Sequence, residues 1–178
     1  LEHNRITRET GNAIRECAKP VIAAVNGAAL GAGMGLAAAC DILYASDNAT
    51  FGMPEINVGL AGGASMLRTL LGRSTTRRMF FSGDRLSAHD LLRRNVLEDV
   101  LPPEELLPVT MALAHRIASK APLALVYAKR ATNMVDVMPQ RDAYRFEQEF
   151  TMTLSKTEDA REARMAFLEK RAPQFKGR

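Results

Sequence analysis

The stretch from Val21 to Cys40 constrains this chain more than any other part of its 178 residues. Val21-Ile22-Ala23-Ala24-Val25 is a short, nearly all-apolar run, the pattern of a strand buried on both faces. Asn26-Gly27 breaks it, and the residues that follow, Ala28 to Cys40, are nearly all small. Their first half is too glycine-rich for a helix interior, whereas the second half is rich in alanine and helix-prone. The expected order is therefore strand, tight glycine turn, then a helix beginning near Gly31–Gly33. Asp41 to Ser46 reads as a second strand and Ala49 to Gly52 as a shorter third. Strand, helix and strand at this spacing imply a right-handed parallel crossover, which places the chain in the α/β class.

Before this stretch, Leu1 to Ala18 has a helical pattern closed by Lys19-Pro20, because proline cannot continue a helix. No strand precedes it, so the numbering is expected to begin inside a longer natural chain. After it, Pro54 to Gly63 reads as a glycine-bearing loop leading into a helix from Ala64 to Leu71, with Gly72 at its C-cap. Ser74 and Ser87 are placed to cap two further helices, at about 75–82 and 88–94. Pro102-Pro103 marks a boundary. Beyond it, from about Glu104 to Ala172, helical periodicity with charged faces takes over, interrupted near Lys120-Ala121-Pro122 and Met138-Pro139. The expected division is an α/β core over 1–101 and a helical lobe over 102–178. That lobe holds more apolar residues than a small appendage can hide, so it should pack on symmetric copies of the chain.

Composition narrows the function. At 47% hydrophobic and 25% charged, the chain is globular rather than disordered. Two cysteines, Cys17 and Cys40, exclude a disulfide framework, and no apolar run approaches the ~18 residues of a membrane span. A reduced, cytoplasmic protein is expected. The net charge of +4 suits an anionic small molecule or simple solubility. Nucleic acid is disfavoured, since Trp is absent and no basic run is interleaved with aromatics. His3, His89 and His115 are far apart with no partner at ligand spacing, so no zinc site is expected. Ser65 lacks the surroundings of a nucleophile elbow. Arg68, Arg73, Arg77 and Arg78 form either a solvated face or a contact for ligand phosphates.

Two stretches can carry chemistry. The Gly31–Gly35 turn opens a helix, where free backbone N–H groups meet the positive end of the helix dipole. Such a start binds an anion or an oxyanion forming on a carbonyl; alternatively, its small residues only allow close packing. Glu55 follows Pro54 in the apolar loop Phe51-Gly52-Met53-Pro54-Glu55-Ile56. Apolar neighbours strip water from a carboxylate and poise it for proton transfer, though a loop glutamate can equally face solvent or an arginine.

Taken in order, Lys19-Pro20-Val21-Ile22-Ala23-Ala24-Val25-Asn26-Gly27-Ala28-Ala29-Leu30-Gly31-Ala32-Gly33, then Cys40-Asp41-Ile42, then Phe51-Gly52-Met53-Pro54-Glu55, closely resemble the crotonase, or enoyl-CoA hydratase/isomerase, superfamily. The resemblance runs on through Ser82-Gly83-Asp84-Arg85-Leu86-Ser87-Ala88 to the C-terminal Phe167–Arg178. It implies a crotonase-like ββα spiral core with a helical C-terminal oligomerisation lobe, forming a homotrimer or dimer of trimers. It implies an acyl-CoA thioester as substrate, with coenzyme A arriving as part of it and no further cofactor. In the family, two backbone N–H groups hold the thioester oxygen. One of those positions matches Ala32, beside Gly33; the other lies in an earlier glycine/alanine-rich loop that these residues do not contain. Family hydratases use two glutamates, of which the second matches Glu55 and the first falls at Gly35. A single glutamate tilts the expected chemistry toward moving a double bond, or toward a specialised hydration. Thioester or C–C hydrolysis, or a decayed site that only binds CoA, are the alternatives. Leu60, Ala61, Gly62 and Gly63 match the stretch that lines the acyl pocket, and Lys170 matches a lysine reaching the CoA phosphates of a neighbouring subunit.

Overall fold

The computed structural model describes residues 2–68 and 70–178, apart from the His3 side chain. Helix α1 (Glu2–Arg15) comes first, followed by strands β1 (Ile22–Val25) and β2 (Ala28–Leu30). Helix α2 (Ala32–Ala39) then leads back to strands β3 (Ile42–Ser46) and β4 (Thr50–Gly52). β1 pairs in parallel with β3, Ile22 opposite Ile42, and β2 pairs in parallel with β4, Ala28 opposite Thr50. The two ββ arms thus stack one turn apart with α2 between them. That is the repeating ββα step expected of a spiral core.

A 3₁₀ turn at Pro54–Val58 follows, then α3 (Ala64–Leu67), α4 (Arg73–Ser82), β5 (Arg85–Ser87), α5 (Ala88–Leu92) and β6 (Asp99–Leu101). One sheet has the order β1-β3-β6 and the other β2-β4-β5, with β5 antiparallel to β4. Phe51, Met34, Leu67, Met79 and Leu91 fill the space beneath them with almost no exposure. Ala24 is exposed, so the strand is not buried on both faces as its apolar run predicts.

The caps divide similarly. Ser87 accepts a hydrogen bond from the Asp90 N–H at 3.1 Å, and Asp90 accepts from the Ser87 N–H at 3.1 Å, closing a capping box at the start of α5. That helix stops at Leu92, short of the predicted 94, and Asn95 turns the chain with φ 57°. Ser74, by contrast, lies inside α4, whose N-cap is Gly72 at φ −58°. Gly72 is therefore not a left-handed C-cap, and α3 ends earlier, at Leu67. An extended glycine can start a helix as readily as finish one.

Helices α6 (Pro103–Ala118), α7 (Pro122–Val135), α8 (Gln140–Leu154) and α9 (Glu158–Leu168) complete the chain. Residues 1–17 and 21–112 form one compact unit; 18–20 and 113–178 form the other. In the second, Phe150 meets Tyr127 and Phe146 at ring separations of 5.0 and 4.6 Å. The C-terminal tail is held to α9 by polar groups. Buried Asp159 accepts from the backbone N–H groups of Lys176 and Gly177 at 2.7 and 2.8 Å. Glu162 accepts from the Arg171 guanidinium and from the Gln174 N–H.

Those bonds stabilise the charged form of Glu162 and hold its carboxyl down to about 2, the Arg171 hydrogen bond contributing most. A carboxyl lowered by folding favours the native tail fully above the ordinary carboxylate range, and that support fades as pH falls toward 2. We therefore expect the Gln174 amide resonance to keep its folded position through pH 4 and to move only below it. Glu162→Gln should remove this step, as read by an NMR acid titration.

Candidate active site at the start of α2

Pairing of β2 with β4 sets Leu30 opposite Gly52. One residue on, the Gly31 N–H donates to the Gly52 carbonyl at 2.9 Å, so the chain leaves the sheet at a fixed point and angle. Gly31 does this with φ 54° and ψ −118°, a backbone conformation open to glycine but strained for any residue with a side chain. Space imposes the same choice. A Cβ built on Gly31 would overlap Oε1 of Glu55. Helix α2 begins immediately afterwards, with its first amide bond from Gly35 N–H to the Gly31 carbonyl at 3.0 Å. The N–H groups of Ala32, Gly33 and Met34 consequently have no acceptor within the helix, and no side chain caps it.

Glu55 reaches this turn from the 3₁₀ segment. Pro54 presets its first residue, and Gly59 ends it in the left-handed region at φ 74°. The Glu55 carbonyl accepts from the Leu60 N–H at 2.9 Å, which anchors the backbone beneath the side chain. One carboxylate oxygen lies against Gly31, and the other, Oε2, is buried with no hydrogen-bond partner. A carboxylate oxygen removed from water without a donor is unfavourable by about 1–3 kcal/mol or more.

Glu55 and the Ala32–Gly33 amides are thus brought to one place, although twenty-odd residues separate them in sequence. The acyl-pocket candidates are more dispersed. Leu60, Ala61 and Gly62 are exposed, whereas Gly63, at φ 87°, caps α3 and lies so close to Met53 that a Cβ would come within 2.7 Å of its methyl carbon. Lys170 belongs to the second unit, exposed after α9 with φ 53°, next to the anchored Arg171. Among the described residues no group of His, Cys, Asp and Glu could hold a metal ion. Arg78 pairs with Asp84 at 3.4 Å on an exposed face, which fits the solvated reading of the arginine cluster.

Sequence reading missed one part of this region. A cleft of about 190 Å³ runs from Ala32 along Gly35 and Leu36 of α2, walled by Ile6 and Thr10 of α1 and by Met66 of α3. Its walls come from three helices distant in sequence. Only the glycine at 35, where a helix would favour alanine, hinted at a close neighbour.

The model of the enoyl-CoA hydratase/isomerase family matches residues 5–178. The chain belongs to the enoyl-CoA hydratase/isomerase family. It is 40% identical over 163 residues to 2,3-dehydroadipyl-CoA hydratase of Escherichia coli K12, covering 90% of this chain and 64% of that protein. It is 39% identical to the short-chain-enoyl-CoA hydratase of Clostridium acetobutylicum, covering 86% of this chain and 60% of the relative. The chain therefore spans less than two thirds of the length of these two relatives. A crystal structure of enoyl-CoA hydratase from Bacillus anthracis superposes with a TM-score of 0.94 at 31% identity, over 98% of this chain and 69% of that one. The crotonase fold expected from the sequence is the fold observed.

Gly31 is poorly open to change because of its backbone conformation and the Glu55 carboxylate beside it. Gly31→Ala should destabilise the protein by about 1–3 kcal/mol through backbone strain and should push the Glu55 carboxylate out of place. Urea unfolding measures the first effect, and a crystal structure of the variant the second.

Proposed function

We propose that this chain carries the reaction centre of an acyl-CoA enzyme of the enoyl-CoA hydratase/isomerase type. The backbone N–H groups of Ala32 and Gly33 hold the thioester oxygen while Glu55 moves the proton. The observation that supports this most is the Glu55 carboxylate lying against Gly31, one residue from the open amides, with Oε2 unpartnered.

The chemistry follows from that placement. Removing a proton from an acyl-CoA, or adding a nucleophile to an enoyl-CoA, drives negative charge onto the thioester oxygen. Amides fixed before charge develops stabilise that enolate without reorganising. The carboxylate of Glu55 accepts the proton and returns it to another carbon of the same chain. Position 35 is glycine, so no second carboxylate stands on α2 to help orient a water molecule. That favours shifting a double bond over adding water. Hydration remains the second reading, because the two relatives above are named as hydratases. Thioester or C–C hydrolysis is a more distant third; a relative 37% identical is named as a carboxyl-CoA hydrolase of Mycobacterium tuberculosis.

On this reading Leu60 to Gly63 border the acyl chain, and Lys170 meets the CoA phosphates of a neighbouring subunit in a cytoplasmic homotrimer or dimer of trimers. No described helix is long and apolar enough to cross a membrane. A decayed site that only binds CoA predicts the same affinity without turnover.

Glu55→Gln should lower turnover of enoyl-CoA by about 10²–10⁴ while leaving the fold intact. Unchanged turnover would remove Glu55 from the mechanism. Mass spectrometry after incubating 2-enoyl- and 3-enoyl-CoA in deuterated water distinguishes the reactions: isomerisation exchanges hydrogen at constant composition, and hydration adds the mass of water. Sedimentation at micromolar concentration should show an oligomer; a monomer contradicts the assembly.

A further inference from the structure

We infer that Met66, working against Gly35, sets the length of acyl chain this protein accepts; the inference rests on the acyl-CoA reading above. The cleft bordered by Ala32 is also lined by Ile6 and Thr10 of α1, Gly35 and Leu36 of α2 and Met66 of α3. An acyl chain whose thioester oxygen sits on the Ala32 amide has this cleft as its nearest apolar space. The cleft has a volume of about 190 Å³, small enough for one residue on its wall to change what fits.

The far wall is adjustable, and two residues hold it. Gly35 is buried in the middle of α2, a position where alanine would stabilise the helix. The reason for glycine is Met66: a Cβ on Gly35 would come within 2.9 Å of its sulfur. The thioether therefore occupies the space that any side chain at 35 would claim. Met66 is itself only partly buried, packed against the core by one side and lining the cleft with the other. A flexible, unbranched side chain in that position yields to pressure from either direction. A methyl group on residue 35 drives the thioether into the cleft and shortens it, and truncating Met66 lengthens it.

The test reads binding rather than turnover, so it does not depend on Glu55 or on which reaction occurs. Saturated acyl-CoAs of four to twelve carbons are titrated into the full chain by calorimetry. Met66→Ala should raise the ratio of ten-carbon to four-carbon affinity by on the order of tenfold, and Gly35→Ala should lower it by a similar factor. The double variant should recover the longer preference, since the new methyl then meets no sulfur. A ratio unchanged in both single variants, or affinities that fall equally at every chain length, overturns the role of Met66 and leaves the acyl-CoA reading standing. If the unmodified chain binds no acyl-CoA, both fall together. Thermal melting of each variant separates a lost fold from a changed cleft, and Met66→Leu, which keeps the volume, should retain the original ratio if the wall acts by size.

Discussion

The hydrogen bond from Gly31 N–H to the Gly52 carbonyl fixes everything else in the candidate site. It ends the β2–β4 pairing at a defined residue and aims the chain into α2. Because β4 runs directly into Met53-Pro54-Glu55, the same pairing that orients the helix start also carries the glutamate to it. The start of α2 and Glu55 are thus positioned by one strand register. A slip of one residue would reverse the faces of both strands and separate them.

Much of this was legible in the sequence because backbone demands leave direct marks. The glycines at 31, 59 and 63 all take positive φ, and each stands where a turn or cap is needed. The alanine-rich run became α2, and Pro122 and Pro139 mark helix starts as their fixed φ dictates. Glu55 stood out because it is a carboxylate among apolar neighbours, and its unpartnered Oε2 is the structural counterpart of that pattern.

What the sequence did not disclose depends on pairing between distant segments. β2, β5 and β6 are three residues each, too short for periodicity to register, and Ala28-Ala29-Leu30 has little intrinsic preference for a strand. Its extended shape comes from β4 alongside. An apolar run such as residues 21–25 likewise cannot reveal which of its residues the layers above and below will cover, and Ala24 is exposed. Ser74 failed as a cap because a glycine two residues earlier could begin the helix first. The wall formed by Met66 was invisible for a related reason: nothing local distinguishes a methionine that fills a core from one that borders a cleft.

Alanine at position 32, one residue after Gly31, illustrates how narrowly the glycine requirement is localised. Strain at this turn falls on Gly31, whose φ and ψ are rarely adopted by residues with side chains and where a Cβ would overlap Oε1 of Glu55. Ala32 is already the first residue of α2, where helical geometry suits an L-amino acid, and its exposure leaves the methyl group free of the core. The proposed function uses only its N–H, and an alanine N–H donates as well as a glycine one. The methyl also reduces the freedom of the unfolded chain at this point, which favours the ordered turn. The strength of such a donor owes little to the length of α2, which is only 8 residues. The small residues along α2 let the helix sit close to the strands, with Met34, Ala37 and Ala38 buried among them.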